Sequence, residues 1–221
     1  MTEPLTAKAF TKRLTALKKE DGWSGVRMGD IFKLGKEFQM MPVAEIEMLM
    51  ESDTHKIRVG ALSIMGQCAK GKKCTPERLK ELYELYIRRH DRIDDWGLVD
   101  LAAYYVVGQY LADKPRKKLY ELARSQNQWE RRTAIVATAH FILKLKQTDD
   151  TFKIAEMLVN DPEKFVNLGT GWMLRTAGDV DRKRLLAFLD KHAATMPRPQ
   201  LRYSIEKLGK DQRDHYLKLK K

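Results

Sequence analysis

A short pattern recurs five times along this chain, and its spacing limits the fold more than any other feature. Ile57-Arg58-Val59-Gly60-Ala61, Val99-Asp100-Leu101-Ala102, Arg131-Arg132-Thr133-Ala134, Asn167-Leu168-Gly169-Thr170 and Leu201-Arg202-Tyr203-Ser204 align on their last residue. The small side chains Ala61, Ala102, Ala134, Thr170 and Ser204 then fall at intervals of 41, 32, 36 and 34 residues. A period of that length suits one pair of helices per repeat, with a small residue where paired helices approach closely. Helical periodicity fills the intervening segments, and no convincing alternating strand interrupts it. Breakers such as Met41-Pro42, Thr75-Pro76, Lys114-Pro115, Asp161-Pro162 and Gly178-Asp179 separate the helices. Thr75-Pro76 reads as an N-cap followed by proline in the first helical position. Short loops make successive helices antiparallel. The expectation is an all-α chain: a right-handed solenoid of antiparallel helix pairs, one domain over residues 1–221. An irregular helical bundle is the alternative.

Composition narrows the function. With 43% hydrophobic residues and four Trp, 221 residues supply ample apolar surface for a core. No apolar run reaches the roughly 18 residues of a membrane span. The N-terminus lacks the basic-then-apolar order of a signal peptide, and Cys68 and Cys74 alone make no disulfide framework or Cys-rich metal site. A reducing cytoplasm is the expected setting. The formal charge of +12 is uneven: residues 114–146 hold nine basic and two acidic side chains, and 182–221 hold twelve and four. The remainder is net negative. Such asymmetry predicts a polyanionic partner, most simply nucleic acid.

The repeat register also aligns chemistry. Two positions before each small residue stand Val59, Asp100, Arg132, Leu168 and Arg202. In a solenoid, equivalent positions follow one surface, so Asp100 is expected on a common track with Arg132 and Arg202, basic groups able to follow a phosphate backbone. Trp96, Trp129 and Trp172 belong to the same second helices. Trp96 lies one helical turn before Asp100, so the two share a face. Trp172 follows Gly169-Thr170-Gly171, a stretch that permits close approach, whereas Trp129 reads as packing. An indole beside a carboxylate recognises cations. On a DNA track, N3- and N7-alkylated purines are cationic and already weakly bound to their sugar. A fixed carboxylate near that sugar stabilises its oxocarbenium-like transition state and orients water.

These residues resemble the AlkD-type, HEAT-repeat-like DNA alkylation repair glycosylases over about residues 25–217. The resemblance is carried by Gly25-Val26-Arg27-Met28, Trp129-Glu130-Arg131-Arg132-Thr133-Ala134-Ile135-Val136, Gly171-Trp172-Met173-Leu174-Arg175 and Leu201-Arg202-Tyr203-Ser204-Ile205-Glu206. It implies a HEAT-like fold and removal of cationic N3- and N7-alkylpurines from duplex DNA, with no metal or organic cofactor and no deep base pocket. It implies Asp100 as the catalytic carboxylate, Trp96 and Trp172 as lesion-side indoles, and Arg132 as a phosphate contact. Arg131 beside it and Arg202 on the same track are further phosphate-binding candidates. The chain departs from the family at Gly97, where many members carry Asp, at Leu168, where Lys is common, and at Thr176, where Glu is common. Losing that Lys and Glu together either removes a structural ion pair or alters DNA contact. Trp23 is left without an assigned role.

Other chemistry finds no support. The five His show no metal-ligand spacing, and no phosphate loop or nucleophile elbow is present. Asp94 and Asp95 read as an N-cap and a solvated neighbour, Tyr104-Tyr105 as packing, and Lys218 to Lys221 as a frayed tail. No compelling Lys or Pro offers a Schiff-base lyase step. The rival readings are a noncatalytic DNA-binding protein of the same fold, recognising bent or branched DNA, and a helical scaffold for a peptide. A monomer is expected in each case.

Overall fold

The repeat register is visible in burial. In the computed structural model, which describes residues 4–219, Ala61, Ala102, Ala134 and Thr170 are wholly buried and Ser204 is 1% exposed. Lys220 and Lys221 of the basic tail lie outside the described residues, and Lys218 ends the last helix.

Thirteen α-helices and no strand occur among the described residues. They are α1 (Ala7–Thr15), α2 (Met28–Glu37), α3 (Val43–Met50), α4 (His55–Lys70), α5 (Pro76–Arg88), α6 (Trp96–Ala102) and α7 (Lys117–Leu122). Then come α8 (Gln128–Ala137), α9 (Asp149–Met157), α10 (Lys164–Gly178), α11 (Arg182–His192), α12 (Arg198–Ser204) and α13 (Lys210–Lys218). Side-chain caps set several starts. Thr75 accepts from the Arg78 N–H at 3.2 Å, with Pro76 in the first turn as expected, and Asn127 accepts from the Trp129 N–H at 2.9 Å.

The helices gather into two compact units that divide between Tyr110 and Leu111. In the first, α2 packs on α4 and α4 on α6, with α3 against α4. Gly66 permits the second of these approaches: a Cβ there would run into the carbonyl oxygen of Leu101. In the second unit, α8 packs on α10 and α10 on α12, with α7 against α8 and α9 and α11 against α10. A Cβ at Gly171 would lie 2.6 Å from the Gln200 carbonyl oxygen and 2.7 Å from Tyr203 Cβ, so glycine sets how closely α10 and α12 meet. Each unit is thus a solenoid-like succession of helix pairs, all-α as the periodicity requires.

Two features were not visible in the periodicity. First, α6 and α8 give way to π-helical turns, Ala103–Gly108 and Phe141–Leu145. Second, an arginine ties each of two repeats to the next. Three residues before Ala61, Arg58 donates to the Ser52 and Asp53 carbonyls at 2.9 and 3.3 Å and to both carboxylate oxygens of Asp94 at 2.8 Å. Three residues before Ala134, Arg131 donates to the Ser125 and Gln126 carbonyls at 2.8 and 3.0 Å and to Asp161 at 2.6 and 3.1 Å. The two arginines occupy one repeat position and do one job. Each closes the loop before its own helix and clamps the segment leading into the next second helix.

Candidate functional site

The short helix α6 presents two faces. Leu98, Val99 and Ala102 are fully buried against the first unit's core. Trp96 is 47% exposed, and Asp100, one turn on, is half-buried on the same side. Asp95 starts the helix, its carboxylate accepting from the Gly97 N–H at 2.7 Å. The imidazole of His55 approaches the same carboxylate at 3.8 Å. Asp95 is therefore the N-cap. Asp94 is more than a solvated neighbour, since its carboxylate is held by Arg58, although its side chain remains 58% exposed. A Cβ at Gly97 would sit 2.8 Å from the capping oxygen of Asp95, so a side chain there would require the cap to shift.

Beyond Ala102 the backbone widens into the π-helical turn. Such turns are frequent at functional sites because they re-aim the side chains that follow. Tyr104 and Tyr105 lie there edge-to-face at 4.2 Å, with the Lys70 ammonium 4.0 Å above the Tyr105 ring. Burial, and then the neighbouring Tyr105, push the Tyr104 phenol above its ordinary pKa, so Tyr104 stays protonated near neutrality. The nearby crevice formed by Phe32, Ser63, Gly66, Gln67, Lys70 and Leu101 holds about 60 Å³. Ligand pockets for small molecules run to roughly 300–1,000 Å³, so this crevice has no room for an extruded purine.

In the second unit, Trp172 and Arg175 lie three residues apart on α10, and both are half-buried. Arg175 pairs with Glu206 and stands 5.9 Å from the Tyr203 ring centroid. Tyr203 itself is 42% exposed on α12, and Arg202 beside it is exposed with no ion-pair partner among the described residues. The sequence register had singled out Arg202 but neither Arg175 nor Tyr203. Trp129, half-buried, packs at 5.7 Å on Phe165.

The two adjacent arginines of α8 differ from Arg202. Arg131 is engaged by Asp161 and two carbonyls as described above. Arg132 is 4% exposed; its guanidinium donates to the Phe165 carbonyl and lies against Gly169. The five aligned positions therefore do not form a uniform exposed track. Val59 and Arg132 are buried, Asp100 and Leu168 half-buried, and Arg202 open. Among the described residues no His, Cys, Asp or Glu cluster is arranged to hold a metal ion, and no helix is long and apolar enough to cross a membrane.

Against known proteins, residues 4–208 match the model of a family described as DNA alkylation repair enzyme. Among solved structures, the chain resembles one described as a "predicted DNA alkylation repair enzyme" from Enterococcus faecalis. That match has a TM-score of 0.64 at 17% identity and covers 95% of this chain and 98% of the other. It shows a shared fold. No curated protein matches the chain by sequence. The family match spans almost all of the helical repeats, and the chain belongs to the DNA alkylation repair enzyme family.

Proposed function

We propose that the chain is a monofunctional DNA glycosylase that excises cationic N3- and N7-alkylpurines from duplex DNA. The observation that carries this reading is the outward face of α6, where the half-exposed Trp96 indole stands one turn from Asp100 above a fully buried opposite face. The indole attracts a cationic base edge, and the carboxylate faces the sugar from which that base departs. The C1′–N bond breaks with its electron pair passing to the purine, which becomes neutral. Water adds its oxygen to C1′ and loses a proton, leaving an abasic site. Asp100 stabilises the positive charge that develops on the sugar and orients that water. The chemistry needs no cofactor, because the lesion supplies a leaving group that is already charged.

In the second unit, Trp172 and Arg202 are proposed as DNA contacts, Arg202 through phosphate. Arg132 serves only if its guanidinium exchanges the Phe165 carbonyl for a phosphate oxygen, and Arg131 would have to leave Asp161. The departures at Gly97, Leu168 and Thr176 support the second reading, a noncatalytic DNA-binding protein of the same fold. Release of N7-methylguanine and N3-methyladenine from methylated duplex DNA decides between the two. The expected result is release by the wild-type protein and a loss of about 100-fold or more in Asp100→Asn, the scale of removing one transition-state charge partner, with near-normal DNA binding. Normal excision by Asp100→Asn removes Asp100 from the mechanism. Absence of release from either protein, with binding intact, selects the second reading.

A further inference from the structure

Lys146 is the sole residue other than glycine with positive φ among the described residues, at φ 58° and ψ 27°. A side chain is costly in this left-handed region, where glycine or asparagine is the ordinary choice. Lysine there calls for a reason outside the backbone. The surrounding tip supplies one. Leu143 is 50% exposed and Leu145 39%, while Lys144, Lys146 and Gln147 are exposed as well. Four consecutive residues thus alternate leucine and lysine, all directed outward from the end of the second π-helical turn.

The tip is rigidly built. The Phe141 carbonyl receives the N–H groups of both Lys146 and Gln147, the latter at 3.0 Å. Arg116 lies 3.7 Å over the Phe141 ring and donates to Gln147 Oε1 at 2.6 Å and to Asp150 at 2.5 Å. Tyr120 Oη fixes the other oxygen of Asp150 at 2.6 Å. Asp150, the acidic group held against this base, is thereby occupied, and neither Lys144 nor Lys146 has an ion-pair partner among the described residues. Half-buried His140 registers the positive field: its pKa is lowered by burial, then by Lys144 and Arg116.

We propose that Leu143–Gln147 is a groove-contacting tip for duplex DNA, in which Lys144 and Lys146 bind phosphates and Leu143 and Leu145 press on the sugar and base edges between them. Cationic side chains flanking an apolar wedge are the ordinary chemistry of such contacts. The observations favour DNA over other occupants. A membrane-surface element needs an extended amphipathic helix, and this tip is a single turn. Two leucines fall short of the apolar patch of a protein interface. The inference rests on the reading that the chain acts on DNA and adds where it is gripped.

The test measures binding of the full-length protein to a labelled undamaged duplex across a salt series of about 50 to 200 mM, with thermal melts of every variant. Lys146→Gly is the informative substitution, because it relieves the backbone while removing the charge. It is expected to melt at or above the wild-type temperature yet bind DNA more weakly. Lys144→Gln with Lys146→Gln should reduce the slope of log K against log salt by about one per lysine. Leu143→Asn with Leu145→Asn should lose roughly tenfold in affinity. Wild-type salt-sensitive binding that these variants leave unchanged overturns the tip and spares the DNA reading. Wild-type protein that fails to bind at low salt sinks the DNA reading first. Tip-dependent binding to phosphatidylcholine–phosphatidylserine vesicles, with the DNA slope unchanged, overturns the proposal in favour of a membrane surface.

Discussion

At the scale of single residues, Asp95 shows how much depends on one hydrogen bond. Its carboxylate accepts the Gly97 N–H at 2.7 Å and starts the helix that carries Trp96 and Asp100. An N-cap carboxylate replaced by alanine costs about 1 kcal/mol, whereas asparagine caps equally well. Asp95→Ala is therefore expected to lower the melting temperature by about 2–4 °C for a chain of this length, and Asp95→Asn by almost nothing. Thermal unfolding of both variants checks the assignment; equal losses would point to charge, through His55, and not to capping. The cap itself was legible, because an Asp-Asp pair just before an apolar helical turn has few other uses. The partner of Asp94 was not. Arg58 lies 36 residues earlier in sequence, and no local pattern announces a contact between repeats.

Between elements, the two adjacent arginines of α8 carry the same lesson further. Arg131 and Arg132 are adjacent, equally charged and equally basic in sequence, yet they leave α8 about 100° apart around its axis. One meets Asp161 and the other the Phe165 carbonyl. Position along the chain fixes that rotation, but the sequence does not say where the neighbouring helix lies, so both read as phosphate contacts. The small-residue register was more legible because volume, unlike charge, has one outcome: a side chain without bulk is used where helices touch. The π-helical turns after α6 and α8 left no trace in composition.

The exposure of each clamp ranks its energetic weight. Asp161 is buried to 4% side-chain exposure beside Arg131 at 12%, and it also accepts the Glu163 N–H at 2.9 Å. Asp94 is 58% exposed, so water screens its pair with Arg58. Breaking a buried pair costs about 3–5 kcal/mol, while exposed pairs are worth about 0–1 kcal/mol. Asp161→Ala should thus destabilise by about 3 kcal/mol and Asp94→Ala by about 1 kcal/mol. Denaturant unfolding of the two variants measures the difference, and equal losses would show that the shared repeat position, not burial, sets the strength.

Over the whole molecule, the candidate DNA contacts are divided: Trp96 and Asp100 belong to the first unit, and Trp172, Arg202 and the Leu143–Gln147 tip to the second. A ligand stabilises only the folded parts it binds, by an amount set by its concentration over Kd. Undamaged duplex DNA at about 100 Kd contributes about 2.7 kcal/mol, which at about 2–4 °C per kcal/mol raises the melting temperature by roughly 5–11 °C. Because the attraction is electrostatic, the rise should shrink steeply as salt increases. Calorimetry of the full chain with and without DNA tests whether both units take part. A single transition that shifts as a whole, or two that both shift, is the expected result. If only one of two transitions moves, DNA contacts one unit alone, and comparing Trp96→Ala with Arg202→Gln identifies which. A shift lost in Arg202→Gln and kept in Trp96→Ala would leave the α6 face without a role in binding undamaged DNA. Its indole and carboxylate would then have to act only when a cationic base is present.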